Sequence, residues 1–143
     1  MHYFNFKNNE LYCEDVSLRS LVEKWGTPLY LYSYRTLCRH FKVFDSAFKR
    51  YPHLVCFSVK ANSNLALLKI FIIQGGGADV VSGGELFRVL KAGIDPKKVV
   101  YSGVGKTEEE ISFALEAGIL MFNVESSEEL KVINQQAKEL HTK

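Results

Sequence analysis

The stretch Leu54-Val55-Cys56-Phe57-Ser58-Val59-Lys60, followed at once by Ala61 to Ile73 (ANSNLALLKIFII), is the first copy of a unit that repeats through the rest of the chain. A short apolar run rich in β-branched and aromatic residues reads as a buried strand, and the longer apolar stretch after it reads as a helix. The same pair then recurs. Gly77 to Ser82 (GADVVS) is the next strand, and GGELFRVLKAG is its helix, with Leu86, Val89 and Leu90 turned inward and Gly93 closing its C-terminus. Lys98 to Gly103 (KVVYSG) is a third strand. Its helix opens on a capping box, Thr107 with Glu110, and stops at Gly118. Ile119 to Glu125 (ILMFNVE) is a fourth strand, before a helix with a second box, Ser126 with Glu129. The strands begin about 20 to 24 residues apart, as alternating βα units do.

Short, continuously apolar strands between amphipathic helices indicate parallel βα units and an α/β fold. The period fits an open doubly wound sheet or a (β/α)8 barrel, and in either the chemistry collects at the carboxyl ends of the strands. Those ends carry Lys60, Ser82 with Gly83 and Gly84, Ser102 with Gly103, and Glu125. Upstream the pattern is irregular. His2 to Phe6 alternates like a strand, Val16 to Gly26 resembles a short helix, and Pro28 to Tyr32 (PLYLY) is strand-like. Ser33 then caps a helix carrying Leu37, Phe41, Phe44 and Phe48 at helical spacing, and Pro52 ends it. Trp25, Tyr30 and Tyr32 read as packing residues.

Composition narrows the function classes. The chain has 143 residues, 47% hydrophobic and 24% charged, which is ordinary globular material. A net charge of +2 gives no field for a polyanion, so nucleic acid is not an expected partner. The N-terminus lacks the basic and apolar regions of a signal peptide, and no apolar run approaches the roughly 20 residues of a membrane span. Cys13, Cys38 and Cys56 have neither disulfide density nor metal spacing and read as buried, reduced thiols of a cytoplasmic protein. The histidines at 2, 40, 53 and 141 are scattered, so neither a metal site nor a catalytic triad is expected. Gly103 to Thr107 (GVGKT) sits where a phosphate loop would, but that motif needs a glycine at position 100, which is Val100. Gly75 to Gly77 likewise lack the third glycine of a dinucleotide fingerprint, since position 80 is Val80.

Lys60 stands out because it follows an apolar strand at its carboxyl end. A lysine stripped of solvent there has its charged form disfavoured, which frees the amine for reaction with a carbonyl. Position alone leaves a second reading open, a surface lysine whose stem lies along apolar neighbours.

Phe57-Ser58-Val59-Lys60-Ala61-Asn62 resembles the Tyr-Ala-Val-Lys-Ala-Asn signature of the fold type III pyridoxal-phosphate enzymes, the group of alanine racemase and the amino-acid decarboxylases. Gly77-Ala78-Asp79-Val80-Val81-Ser82-Gly83-Gly84-Glu85-Leu86 is similar to the second signature of the diaminopimelate decarboxylases. Thr27 to Tyr32, Tyr101 to Thr107 and Phe122 to Ser126 match in order as well. Phe57, Ser58 and Gly76 depart from the usual residues, and none touches the lysine.

The resemblance implies a partial (β/α)8 barrel of the alanine racemase-like type, with about four βα units in residues 34–143. Residues 1–33 would be a lead-in whose first strand belongs to a second β domain. It implies pyridoxal 5'-phosphate carried by Lys60, with Asp79 and Glu85 near the lysine and the cofactor. On residue type alone, Asp79 reads equally as a strand-end cap and Glu85 as a first-turn helix acid. It further implies decarboxylation of meso-diaminopimelate to L-lysine in a cytoplasmic homodimer whose active site lies at the subunit interface. The family's phosphate-binding glycine loop, its glutamate for the pyridine nitrogen and its Cys-Glu-Ser segment have no counterpart in these residues. The chain is therefore expected to be an N-terminal part that is inactive alone and exposes Val55, Phe57, Val80, Val99 and Phe122. Two alternatives stay open: another type III decarboxylase acting on arginine or a carboxylated polyamine, and a noncatalytic carrier of the cofactor.

Overall fold

The computed structural model describes residues 2–142. They fall into two compact units, Met1–Ala47 and Phe48–Lys143. The first unit holds three short antiparallel strands, β1 (Phe4–Lys7), β2 (Glu10–Cys13) and β3 (Val16–Ser17), in the order β1-β2-β3. Asn8 and Asn9 join β1 to β2 with φ of 50° and 60°, the left-handed backbone that a two-residue hairpin turn requires. Helix α1 (Leu18–Trp25) starts on the Ser17 hydroxyl, which accepts from the Ser20 amide, and ends at Gly26. Helix α2 (Tyr34–Ala47) starts on Ser33, whose hydroxyl accepts from the Thr36 amide at 3.0 Å and donates to Glu14 at 2.7 Å.

Three expectations for this unit change. Pro28–Tyr32 forms no strand and pairs with none among the described residues, so its alternation stays unused. Tyr30 is 87% exposed and Trp25 67%, so they do not pack within the unit. On α2 only Phe41 is buried. Phe44 lies on the surface, and Phe48 falls beyond the helix end.

The second unit is built as the repeat dictates. Strands β4 (Cys56–Ser58), β5 (Gly77–Val80), β6 (Val99–Tyr101) and β7 (Met121–Phe122) form one parallel sheet in the order β4-β5-β6-β7. Each is followed by a helix: α3 (Leu65–Ile73), α4 (Gly83–Ala92), α5 (Glu108–Ala117) and α6 (Ser127–Glu139). A doubly wound sheet reverses its strand order part-way; here every strand adds to the same edge, as in a (β/α) barrel. Gly93 and Gly118 close α4 and α5 in the left-handed conformation, and the Thr107–Glu110 box is formed in full.

Register fixes the two faces of the sheet. Phe57 pairs with Ala78, Ala78 with Val99, Val80 with Tyr101, and Tyr101 with Phe122. These residues face the helices and, with Leu86 and Val89, make the core, so Val80 and Val99 are wholly buried rather than exposed. Phe57 and Phe122 are also packed against that core, Phe57 stacking on Phe71 with ring centroids 4.1 Å apart. The intervening residues, Ser58, Asp79, Val100 and Met121, lie in register on the opposite face. That is the face a barrel turns to its interior. Gly77 is obligatory where β5 starts. A Cβ there would lie 2.3 Å from the Lys98 carbonyl oxygen, a backbone atom that cannot step aside.

Candidate functional site

Strand β4 is shorter than its apolar run suggests. Only Cys56–Ser58 find partners on β5, and Val59–Ala61 turn into one 3-10 turn. Lys60 therefore sits in a turn just past the strand end and not on the strand. Val59 beneath it is wholly buried, while Lys60 is exposed, not stripped of solvent as its place after an apolar run suggests, because the 3-10 turn carries it off the strand; it is engaged by no hydrogen bond or ion pair among the described residues. The residues of this unit leave its amine open to solvent and to a ligand.

Beside this turn, the helix-free face carries a row of polar side chains across the strand ends. The Ser102 hydroxyl donates to Asp79 Oδ1 at 2.5 Å, and the Ser58 hydroxyl approaches Asp79 Oδ2 at 3.5 Å. Asn123 Nδ2 in turn donates to Ser102 Oγ at 2.8 Å. Asp79 thus joins Ser58, two residues before Lys60, to the ends of β6 and β7. Cys56 borders the same face, its thiol pushed up first by burial and then by the Asp79 charge.

Glu85 is placed differently. Its carboxylate accepts from the Val81 amide at 2.9 Å while its own amide donates to Ser82 Oγ at 3.2 Å, so its bonds are those of a helix start. Glu110 accepts from the Gly83 amide at 2.7 Å and the Thr107 amide at 3.1 Å. The bond from Gly83 is the main reason its carboxyl is held below the usual glutamate range. Between them lies Tyr101, whose buried hydroxyl makes no well-formed hydrogen bond. Burial, above all, and the nearby Glu110 charge raise its pKa. Glu125 is exposed in the β7–α6 loop.

One cluster escaped the sequence reading. Lys106 is 1% exposed at its side chain, and its ammonium donates to Gly103 O at 2.8 Å, Asn123 O at 2.9 Å and Glu129 Oε1 at 2.7 Å. Three protons meet three acceptors. Glu129 is thereby drawn away from the expected box with Ser126, of which only the bond from the Glu129 amide to Ser126 Oγ remains. Nothing in the spacing of Lys106 and Glu129, 23 residues apart, signals this pair. Ser102 and Asn123 left a fainter trace, as the first polar residues after the apolar runs of β6 and β7.

An aldehyde cofactor needs an unengaged primary amine and polar groups around it, and Lys60 beside the Ser58–Asp79–Ser102–Asn123 row supplies both. Lys106, with every donor spent, does not.

Comparison with known proteins gives these groups a context. The family model described as pyridoxal-dependent decarboxylase, pyridoxal binding domain, matches residues 34–142. The chain is 56% identical over 140 residues to the diaminopimelate decarboxylase of Haemophilus influenzae, covering 98% of the chain and 34% of that protein. It is 53% identical over 144 residues to the one from Vibrio cholerae, again across 34% of that protein. Among solved structures, the diaminopimelate decarboxylase of M. jannaschii in complex with L-lysine superposes with a TM-score of 0.93 at 39% identity, over 96% of this chain and 33% of that one. The chain therefore spans about a third of the length of the curated relatives it matches.

Proposed function

The chain belongs to the pyridoxal-dependent decarboxylases through their pyridoxal binding domain, and from this we propose that it supplies the Lys60-bearing part of a diaminopimelate decarboxylase. The reaction is the release of carbon dioxide from meso-diaminopimelate to give L-lysine. Pyridoxal phosphate, when bound, supplies an electron sink for the pair left on the substrate carbon as the carboxyl departs. The observation that carries the reading is the exposed, unengaged Lys60 amine at the carboxyl end of β4, beside a polar row on the helix-free face.

Each residue has a bounded task. Lys60 holds the cofactor by its amine. Asp79, fixed by the Ser102 hydroxyl, presents a carboxylate on the same face and biases proton positions around the lysine. Glu85 secures the start of α4 and so the path of the Val81–Gly84 turn beside Asp79. Groups that grip the phosphate and the pyridine nitrogen belong, in this reading, to parts of the enzyme outside these residues. The enzyme is assigned to the cytoplasm, in keeping with three unpaired thiols, and to a homodimer whose partner completes the substrate site. No helix among the described residues is long and apolar enough to cross a membrane.

The Val81-Ser82-Gly83-Gly84-Glu85 stretch supports diaminopimelate over ornithine as substrate. Carbon dioxide release by the intact natural polypeptide, loaded with pyridoxal phosphate, should be faster from diaminopimelate than from ornithine or arginine by orders of magnitude. Comparable rates from all three would replace this reading with a broader basic amino-acid decarboxylase, and no release from any would leave a cofactor carrier.

A further inference from the structure

We infer that Ser102 and Asn123 are positioning residues for Asp79: a one-directional chain of hydrogen bonds, Asn123 to Ser102 to Asp79, fixes the carboxylate on the inner face of the sheet. The inference rests on the reading of Lys60 as the cofactor-bearing lysine and deepens it.

Proton bookkeeping sets the direction. An ionised carboxylate only accepts, and a serine hydroxyl has a single proton. At 2.5 Å from Asp79 Oδ1, Ser102 must give that proton to the aspartate. Its oxygen is then left with lone pairs, and the Asn123 amide fills one from Nδ2 at 2.8 Å. An Asn123 turned end for end would bring its carbonyl oxygen against a hydroxyl whose proton is already committed. Each group therefore has one arrangement, and reversing any link strands another.

Strand geometry explains why these three meet. Asp79 pairs with Val100, and Ser102 lies two residues further on, just past the end of β6, where its amide still donates to the Val80 carbonyl and its side chain returns to the same face. Val100 pairs with Met121, and Asn123 lies two residues past that. The chain thus runs diagonally over the ends of three strands. Its outer members sit in loops, and loops wander unless tied. Lys106 supplies the tie. One buried ammonium bonds the carbonyl of Gly103, next to Ser102, and the carbonyl of Asn123 itself, while Glu129 balances the charge. Asp79 is therefore held from neighbouring strands, by Ser102 strongly and by Ser58 at 3.5 Å weakly.

A merely structural role for Ser102 and Asn123 would show as lost stability with an unaltered cofactor site. A positioning role shows in how the cofactor binds and absorbs. The test uses the intact natural polypeptide titrated with pyridoxal phosphate, with affinity and the absorption band of the bound cofactor both recorded. A charge-assisted hydrogen bond is worth enough that Ser102→Ala should weaken cofactor affinity about tenfold and shift the band. Ser102→Thr, which keeps the hydroxyl, should recover most of that loss. Asn123→Ala should act in the same direction and more weakly. In an Asp79→Asn background, Ser102→Ala should add less than about a twofold change, because its effect passes through the missing charge. Wild-type affinity and spectrum in Ser102→Ala would overturn the inference, as would an undiminished effect in the Asp79→Asn background. A wild-type protein that takes up no cofactor on Lys60 would overturn the reading of the site, and the inference with it.

Discussion

The unit Phe48–Lys143 closes around Val59, Val80, Leu86, Val89, Val99 and Tyr101, all wholly buried, whereas Met1–Ala47 buries only Cys13, Ser33 and Phe41 among its described residues. The first unit leaves Phe6 74% exposed and Trp25 67% exposed. Its order comes instead from a polar knot. Glu14 accepts from the Arg35 amide and the Ser33 hydroxyl, both at 2.7 Å, and Arg35 reaches Asp15 at 2.7 Å. The two units therefore answer to different forces. One is specified by apolar periodicity and fails by losing packing; the other is specified by a few hydrogen bonds to a carboxylate and fails by losing charge.

The largest effect should come from the buried Lys106–Glu129 ion pair of the second unit. Lys106→Met leaves Glu129, itself only 10% exposed, without its cation. Removing one partner of a buried pair costs about 3–5 kcal/mol. Residue-resolved hydrogen exchange should show protection falling across Phe48–Lys143 and little change in Met1–Ala47. A uniform loss over both units would show that they do not lose structure separately.

The polar knot should be the weak point of the first unit in acid. Bonds from the Arg35 amide, first, and from Ser33 hold the Glu14 carboxyl below its ordinary 4.5. A depressed folded pKa means that its stabilisation is complete above the ordinary value and is lost as pH falls through the folded one. Glu14→Gln should cost about 1.5–3 kcal/mol at neutral pH, the worth of a hydrogen bond to a charged group. It should also flatten the acid dependence of protection around Ser33 to Thr36. Glu110, depressed mainly by the Gly83 amide, should give the second unit its own acid loss, untouched by that substitution. An acid profile unchanged by Glu14→Gln would show that the knot does not govern the first unit.

The smallest effect has the opposite sign. The Tyr101 hydroxyl is buried without a well-formed hydrogen bond, so Tyr101→Phe removes a polar group that gains little. It should raise stability by up to about 1 kcal/mol, read from denaturant midpoints. A loss of more than that would mean that the hydroxyl bonds to Glu110 more firmly than its geometry indicates.

The contrast between the units also explains what was legible in the sequence. Four βα repeats were readable because burial writes itself as apolar runs, and Gly93, Gly118 and the Thr107–Glu110 box marked their ends. The hairpin at Asn8–Asn9 and the failure of Pro28–Tyr32 to pair were not readable, since strand partners in an irregular segment leave no periodic trace. At the site, Lys60 and Asp79 were visible through the signatures and the strand ends. Lys106 was not, because its acceptors at Gly103, Asn123 and Glu129 come together only in three dimensions. The buried ammonium needs Glu129 more than Ser126 does, which is why the second capping box is left half-made.

Two lysines lie past the ends of β4 and β6, on either side of β5, and differ in every respect that matters for the cofactor: Lys60 is exposed and unengaged, Lys106 buried with every donor committed. The measurement is borohydride reduction of the intact natural polypeptide loaded with pyridoxal phosphate, followed by peptide mapping of the trapped adduct. A single modified peptide is expected, with the cofactor on Lys60. An adduct on Lys106, Lys69 or Lys91, with Lys60 unmodified, would contradict it.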